Sequence, residues 1–148
     1  MTEVLPDIED IVNFILSICP SPKKIVEVGV GRLPDVALKI RERVPDVEIV
    51  VVDADASVID ELKRRTTGIK VLRDDILRPK MEIYRDASLI YSIRPPPDML
   101  PHLKRVSLEV HAPLVIRPLS SDISEFVVDK ELKVVRHGKA ILLLYIPK

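Results

Sequence analysis

Two carboxylates and two glycines stand out for where they fall: Glu27, Gly29, Gly31 and Asp53. Only four glycines occur in 148 residues, and two of them lie within three positions. In so glycine-poor a chain, that clustering marks a tight turn at positive φ or a ligand that approaches the main chain closely. Asp53 follows Gly31 by 22 residues, a spacing at which an acidic side chain accepts hydrogen bonds from ribose hydroxyls. Asp74 and Asp75 add a third acidic position. The set makes a consistent nucleoside site, with glycine backbone against the ligand's middle, one carboxylate on the ribose and another near the base. Plainer readings stand beside it. The glycines serve a turn, Asp53 is a helix N-terminal carboxylate or Asp55 a helix cap, and spacing alone does not separate Asp74 from Asp75.

The elements that carry these residues follow from pattern. Lys24 to Val28 is an apolar strand that runs into the glycines, and a helical stripe follows (Val36, Ala37, Ile40, Val44), with Pro34 at its first position and Pro45 at its stop. Strand, glycine turn and helix N-terminus in that order make an anion or nucleotide site. Val47 to Val52 is a β-branched run suited to a strand buried on both faces, and it ends at Asp53. Ser57 to Thr66 reads as a helix closed by Gly68, Ile69 to Leu72 as a third strand, and Ala87 to Ile93 as a fourth, interrupted by Arg94-Pro95-Pro96-Pro97. Asp98 to Val110 is helical, Pro113 to Ile116 a fifth strand, and Ser121 to Phe126 a short helix or turn.

Leu132 to Arg136 and Ala140 to Ile146 flank His137-Gly138, a hairpin signal. Before all of these, Pro6 to Ile18 forms an amphipathic helix, with Ile8, Ile11, Val12 and Ile15 opposite Asp7, Glu9, Asp10 and Asn13. The alternation predicts one α/β, Rossmann-like domain over residues 1–148, with 1–22 as an N-terminal helix and linker. It has three α/β/α layers, a mostly parallel sheet and a C-terminal antiparallel hairpin.

Composition narrows the function classes. Basic and acidic residues balance at 23 each, which gives no overall electrostatic footprint for nucleic acid. No apolar run is long enough for a membrane span, and Met1 to Asp10 lacks the basic-then-apolar order of a secretory signal. A single cysteine, Cys19, excludes an internal disulfide framework and fits a cytoplasmic protein. His102, His111 and His137 lack metal-ligand spacing, so no metal is expected. Thirteen prolines and abundant Arg, Lys, Val and Ile resemble a thermophile's composition. Leu142 to Leu144 reads as a buried strand, or as a homodimer surface if it lies at an edge.

Glu-x-Gly-x-Gly after the first strand, Asp53 after the second and Asp75-Ile76-Leu77 after the third resemble class I S-adenosylmethionine-dependent methyltransferases. By that resemblance Glu27 orients the methionine end of the cofactor, Gly29 and Gly31 make room for it, Asp53 binds the ribose and Asp75 the adenine amine. More narrowly, the whole chain resembles a small archaeal group, uncharacterised protein family 0146, through the tract Tyr91 to Pro97. That group supplies no activity.

Two departures from the methyltransferase pattern matter. Leu33 stands where many members have a third glycine. Arg94 stands where amino-group methyltransferases carry the Asn or Asp of Asn-Pro-Pro. Arginine has five donors and no acceptor, so Arg94 is expected to clamp an anionic ligand or substrate bidentately. Tyr91 and Ser92 read as ordinary strand-end residues.

The expectation is an S-adenosylmethionine-binding protein, with methyl transfer as its activity and an unidentified acceptor or partner protein. A non-catalytic module that keeps the fold is the first alternative, and a nicotinamide-dinucleotide domain the second.

Overall fold

The structure is a computed structural model that describes residues 5–148. The opening four residues of the stretch tested for a secretory signal lie outside the described residues. In chain order the strands are β1 (Lys24–Val28), β2 (Glu48–Asp53), β3 (Lys70–Arg73), β4 (Leu89–Ile93), β5 (Leu114–Arg117), β6 (Lys133–His137) and β7 (Ala140–Tyr145). The helices are α1 (Ile8–Ile18), α2 (Asp35–Arg43), α3 (Ala56–Arg65), α4 (Met81–Tyr84), α5 (Leu100–Val110) and α6 (Ile123–Phe126). All seven strands join one sheet in the order β3-β2-β1-β4-β5-β7-β6. β1 to β5 run parallel, and β7 enters antiparallel between β5 and β6. The 3-2-1-4-5-6 order of dinucleotide-binding sheets differs from this one by that inserted strand.

Period-two alternation splits the strand side chains between two apolar layers. Ile25, Ile49, Val51, Leu89 and Val115 pack against α1, α2 and α3. Val26, Val28, Val50, Val52, Ile90 and Leu114 face the layer of α4, α5 and Phe126. Both sides being covered explains the near-continuous apolar runs. Glu27 and Tyr91 belong by parity to the first layer, so a carboxyl group sits where its neighbours are Ile and Val.

Most expected elements stand within one or two residues of their sequence bounds, and the differences have physical causes. Pro34 precedes α2 as its cap instead of opening it. α3 ends at Thr66, whose N–H and hydroxyl both reach the Leu62 carbonyl, so Gly68 (φ 83°) shapes the following turn and does not cap. A 3-10 turn, Pro97–Met99, takes the first residues of the expected Asp98 helix. Leu142 and Leu143 are fully buried on an interior strand, and the edges of the sheet are β3 and β6. Asp7, expected on the polar face of α1, is buried against Arg117, which donates from Nε and Nη2 to its two oxygens at 3.1 Å each. No helix among the described residues is long and apolar enough to cross a membrane.

Candidate functional site

The strand order reverses between β1 and β4, and the carboxyl ends there form the crevice in which such sheets bind ligands. The glycine loop rises from the end of β1 with left-handed backbone at Gly29 (φ 69°) and Gly31 (φ 62°). A Cβ placed on either glycine meets no protein atom within 4 Å. The backbone conformation therefore requires glycine, and the space above the loop is open.

The loop is pinned from beneath. Gly29 and Val30 both donate their N–H groups to the Val52 carbonyl, at 2.9 and 3.0 Å. Gly31 N–H donates to Asp53 Oδ2 at 2.9 Å, and Asp55 N–H to Asp53 Oδ1 at 2.9 Å. Three consecutive loop donors are thus satisfied internally, beside a carboxylate. A phosphate-cradling loop needs such N–H groups free, and those of Gly29, Val30 and Gly31 are not. Asp53 clamps the loop, while Asp55 caps α3 by accepting from Ser57 N–H at 2.8 Å.

Beside the loop lies a cavity of about 250 Å³, bounded by Gly29 to Leu33, Asp35, Val36, Ile93 and Arg94, with Leu5 at its rim. Leu33, at the missing third glycine, is one wall of this space and leaves it open. A second hollow of about 260 Å³ lies at the end of β3, bounded by Ala54, Arg73, Asp74, Asp75, Arg78 and Lys80. Asp53 borders neither space itself; it holds the Gly31 N–H of the first and directly precedes Ala54 of the second. Asp74 is buried with both oxygens engaged, by Lys80 N–H at 3.0 Å and the Tyr84 hydroxyl at 2.6 Å. Asp75 is exposed and accepts only from Leu77 N–H among the described residues. Its second oxygen is available to a ligand.

Glu27 is 1% exposed and does not border the cavity. Its Oε1 accepts a 2.6 Å hydrogen bond from the Tyr91 hydroxyl. Burial raises the Glu27 carboxyl to about 8, against the lowering effect of the Tyr91 bond and with help from the charges of Asp35 and Asp53. At neutral pH it is therefore largely a neutral acid. Burial and the adjacent carboxyl push the Tyr91 phenol well above its ordinary value. Ser92 faces the opposite layer and donates to the Val28 carbonyl at 2.8 Å. Cys19 ends α1 half-buried, its thiol raised by burial and far from a reactive thiolate. His137 lies against the Phe14 ring, and His111 ends α5 in the left-handed region. No cluster of three metal-ligating side chains occurs among the described residues.

Sequence reasoning passed over two members of this neighbourhood. Tyr91 was legible only through strand register, which sets it beside Glu27. Asp35, in the first turn of α2, borders the cavity. Its place directly after the glycine loop was the available signal.

Comparison with known proteins bears on this fold. The model of a family described as "Uncharacterised protein family (UPF0146)" matches residues 8–146. A UPF0146 protein of Methanothermobacter thermautotrophicus is 37% identical over 137 residues, covering 93% of each chain. Among solved structures, the methyltransferase domain of bacterial CtHen1 superposes with a TM-score of 0.67 at 11% identity, over 93% of this chain and 98% of that one. Human N-acetylserotonin methyltransferase in complex with SAM (S-adenosylmethionine) superposes with a TM-score of 0.69 at 12% identity, over 97% of this chain and 52% of that one. At such identities the structural likeness speaks for the fold alone.

Proposed function

The chain belongs to the uncharacterised protein family UPF0146, and we propose that it binds S-adenosylmethionine or S-adenosylhomocysteine across the carboxyl ends of β1, β2 and β3. The observation that carries this reading is the glycine loop. It is open above Gly29 and Gly31, yet the N–H groups of Gly29, Val30 and Gly31 are already given to Val52 and Asp53. Such a turn accepts close approach of a ligand without cradling a phosphate on those three donors. A nucleoside without phosphates suits that chemistry better than a dinucleotide does.

When bound, S-adenosylmethionine supplies an activated methyl group on a sulfonium. Asp53 accepts hydrogen bonds from the ribose hydroxyls through lone pairs left over from the loop clamp, since each carboxylate oxygen has two. Asp75 accepts from the adenine amine with its available oxygen. Gly29 and Gly31 let the ligand reach the backbone. Glu27 acts from beneath as a buried support that fixes β1 against β4 through Tyr91, and Arg94 presents a cation at the mouth of the cavity. The reaction we assign is methyl transfer by positioning an acceptor against the methyl. The structural relatives described as methyltransferases support that class.

A binding module without turnover is the second reading, and Arg94 is the observation that favours it. A side chain with donors alone at the exit of β4 neither orients nor deprotonates an amine acceptor.

Calorimetric titration with S-adenosylmethionine and S-adenosylhomocysteine tests the site. Binding by the wild type that is lost in Asp53→Ala and weakened in Asp75→Ala is the expected result. A folded wild type that binds neither compound ends the proposal. Release of S-adenosylhomocysteine in the presence of candidate acceptors then separates enzyme from module.

A further inference from the structure

The cavity of about 250 Å³ holds two charges of opposite sign that do not pair. Arg94 and Asp35 both border it. Neither side chain has a hydrogen-bond or ion-pair partner among the described residues, and the two lie beyond ion-pair distance of each other. The third charged residue of the wall, Arg32, is already used. Its Nη1 donates to Glu61 Oε1 at 2.9 Å, and its Nη2 to Ser57 Oγ at 3.4 Å. Arg94 is thus the one cation of the wall without an assigned contact among the described residues.

Its backbone is held in a costly conformation. Arg94 has φ 53°, a left-handed geometry that is strained for a residue with a Cβ. The 2.6 Å bond from its N–H to the Arg117 carbonyl fixes it to β5, and buried Pro95 stiffens the chain just after it. Backbone strain of this kind gathers where a side chain must be aimed. Asp35 suits the dipole of α2 wherever it points, so the helix does not account for its place on the cavity wall.

The size of the space selects among ligand parts. It falls below the ~300–1,000 Å³ of pockets that hold whole drug-sized ligands, so it suits an amino-acid end and leaves the nucleoside to Asp53 and the second hollow. Gly29, Val30 and Gly31 have already given their N–H groups to Val52 and Asp53. Arg94 is the charged side-chain donor of the wall left to hold a carboxylate in this cavity.

Resting on the cofactor reading above, we infer that Arg94 and Asp35 form a clamp for a zwitterionic α-amino-acid group. Arg94 takes the carboxylate in a bidentate contact and Asp35 takes the ammonium. Arg94 then serves the amino-acid end of the nucleoside ligand and not the acceptor.

The test uses three probes on the whole protein: S-adenosylhomocysteine, 5′-methylthioadenosine, which lacks the amino-acid carbons, and L-methionine. Arg94→Ala and Asp35→Asn should each weaken S-adenosylhomocysteine binding about tenfold or more and leave 5′-methylthioadenosine binding as in the wild type. That second probe also certifies that the variants are folded. Arg94→Lys should recover only part of the loss, because a lysine gives no planar fork. Equal losses for both nucleosides, or no loss for either, would overturn the clamp while the nucleoside site stands. Binding of L-methionine that both variants lose, without binding of either nucleoside, would keep the clamp and remove the cofactor reading. A folded wild type that binds none of the three removes both.

Discussion

Tyr91 donates a 2.6 Å hydrogen bond to Glu27 Oε1, and the two residues are register partners on the adjacent parallel strands β4 and β1. Both are sealed into the layer that packs against α1 to α3, directly beneath the reversal of strand order. A carboxyl group in an apolar layer is tolerated when it is neutral and hydrogen-bonded, and both conditions hold here.

This pair makes stability depend on pH with a defined sign. The Glu27 carboxyl is raised from 4.5 to about 8 on folding, so the folded state holds a proton that the unfolded state has released between those values. Its contribution is full below about pH 4.5, falls as pH rises, and is gone above about pH 8. On the order of 5 kcal/mol is at stake. Denaturant titrations from about pH 5.5 to about 8.5 should show wild-type stability falling, with a flatter profile for Glu27→Gln, which has no proton to lose.

Removing the other partner tests the same contact differently. Tyr91→Phe leaves the ring and takes away the donor, so Glu27 loses its one side-chain partner among the described residues. A cost of about 1–3 kcal/mol is expected, read as a lower urea midpoint with unchanged slope. The Glu27 titration should move higher still, because the Tyr91 bond now lowers it.

Much of this architecture was legible in the sequence because it rests on local patterns. Val47 to Val52 is the β-branched run expected of a strand covered on both faces, and the glycine pair after Val28 marks a tight turn or a ligand's close approach. What escaped detection depends on pairings between distant residues. Asp7 read as polar-face decoration, since helical periodicity contains no information about Arg117, 110 residues away. Tyr91 looked ordinary because strand alternation gives a face but not the neighbour across it. Asp53 was read from its spacing to Gly31, while its hold on the Gly31 N–H depends on how the loop folds back over β2. Asp74 and Asp75 were inseparable until burial consumed both oxygens of Asp74 and left Asp75 open.

Gly31→Ala separates backbone strain from ligand contact. An added Cβ meets no protein atom within 4 Å, so the folding cost should be the left-handed strain alone, about 1–2 kcal/mol. If a ligand fills the space above the loop, its affinity should fall well beyond that in calorimetry, because the methyl occupies the ligand's place. A variant that is slightly destabilised but binds normally would mean the glycine serves only the turn.

The Asp7–Arg117 pair locks the start of α1 to the end of β5. Its carboxylate is 5% exposed and its guanidinium 18% exposed, with two parallel bonds between them. Asp7→Ala leaves the arginine without its anion, with the Pro118 carbonyl at 3.1 Å as its one remaining acceptor among the described residues. A loss near the lower end of about 3–5 kcal/mol is expected, since Arg117 keeps some access to water. The double variant Asp7→Leu with Arg117→Met should recover much of that loss, because it removes both charges and keeps the volume. Denaturation of the two single variants and the double variant yields the coupling energy directly. A coupling near zero would show that α1 is held without this pair, by its apolar face of Ile11, Val12, Phe14 and Ile15 and by the contacts of Glu9 and Asp10 with Lys39, Arg43 and Lys139.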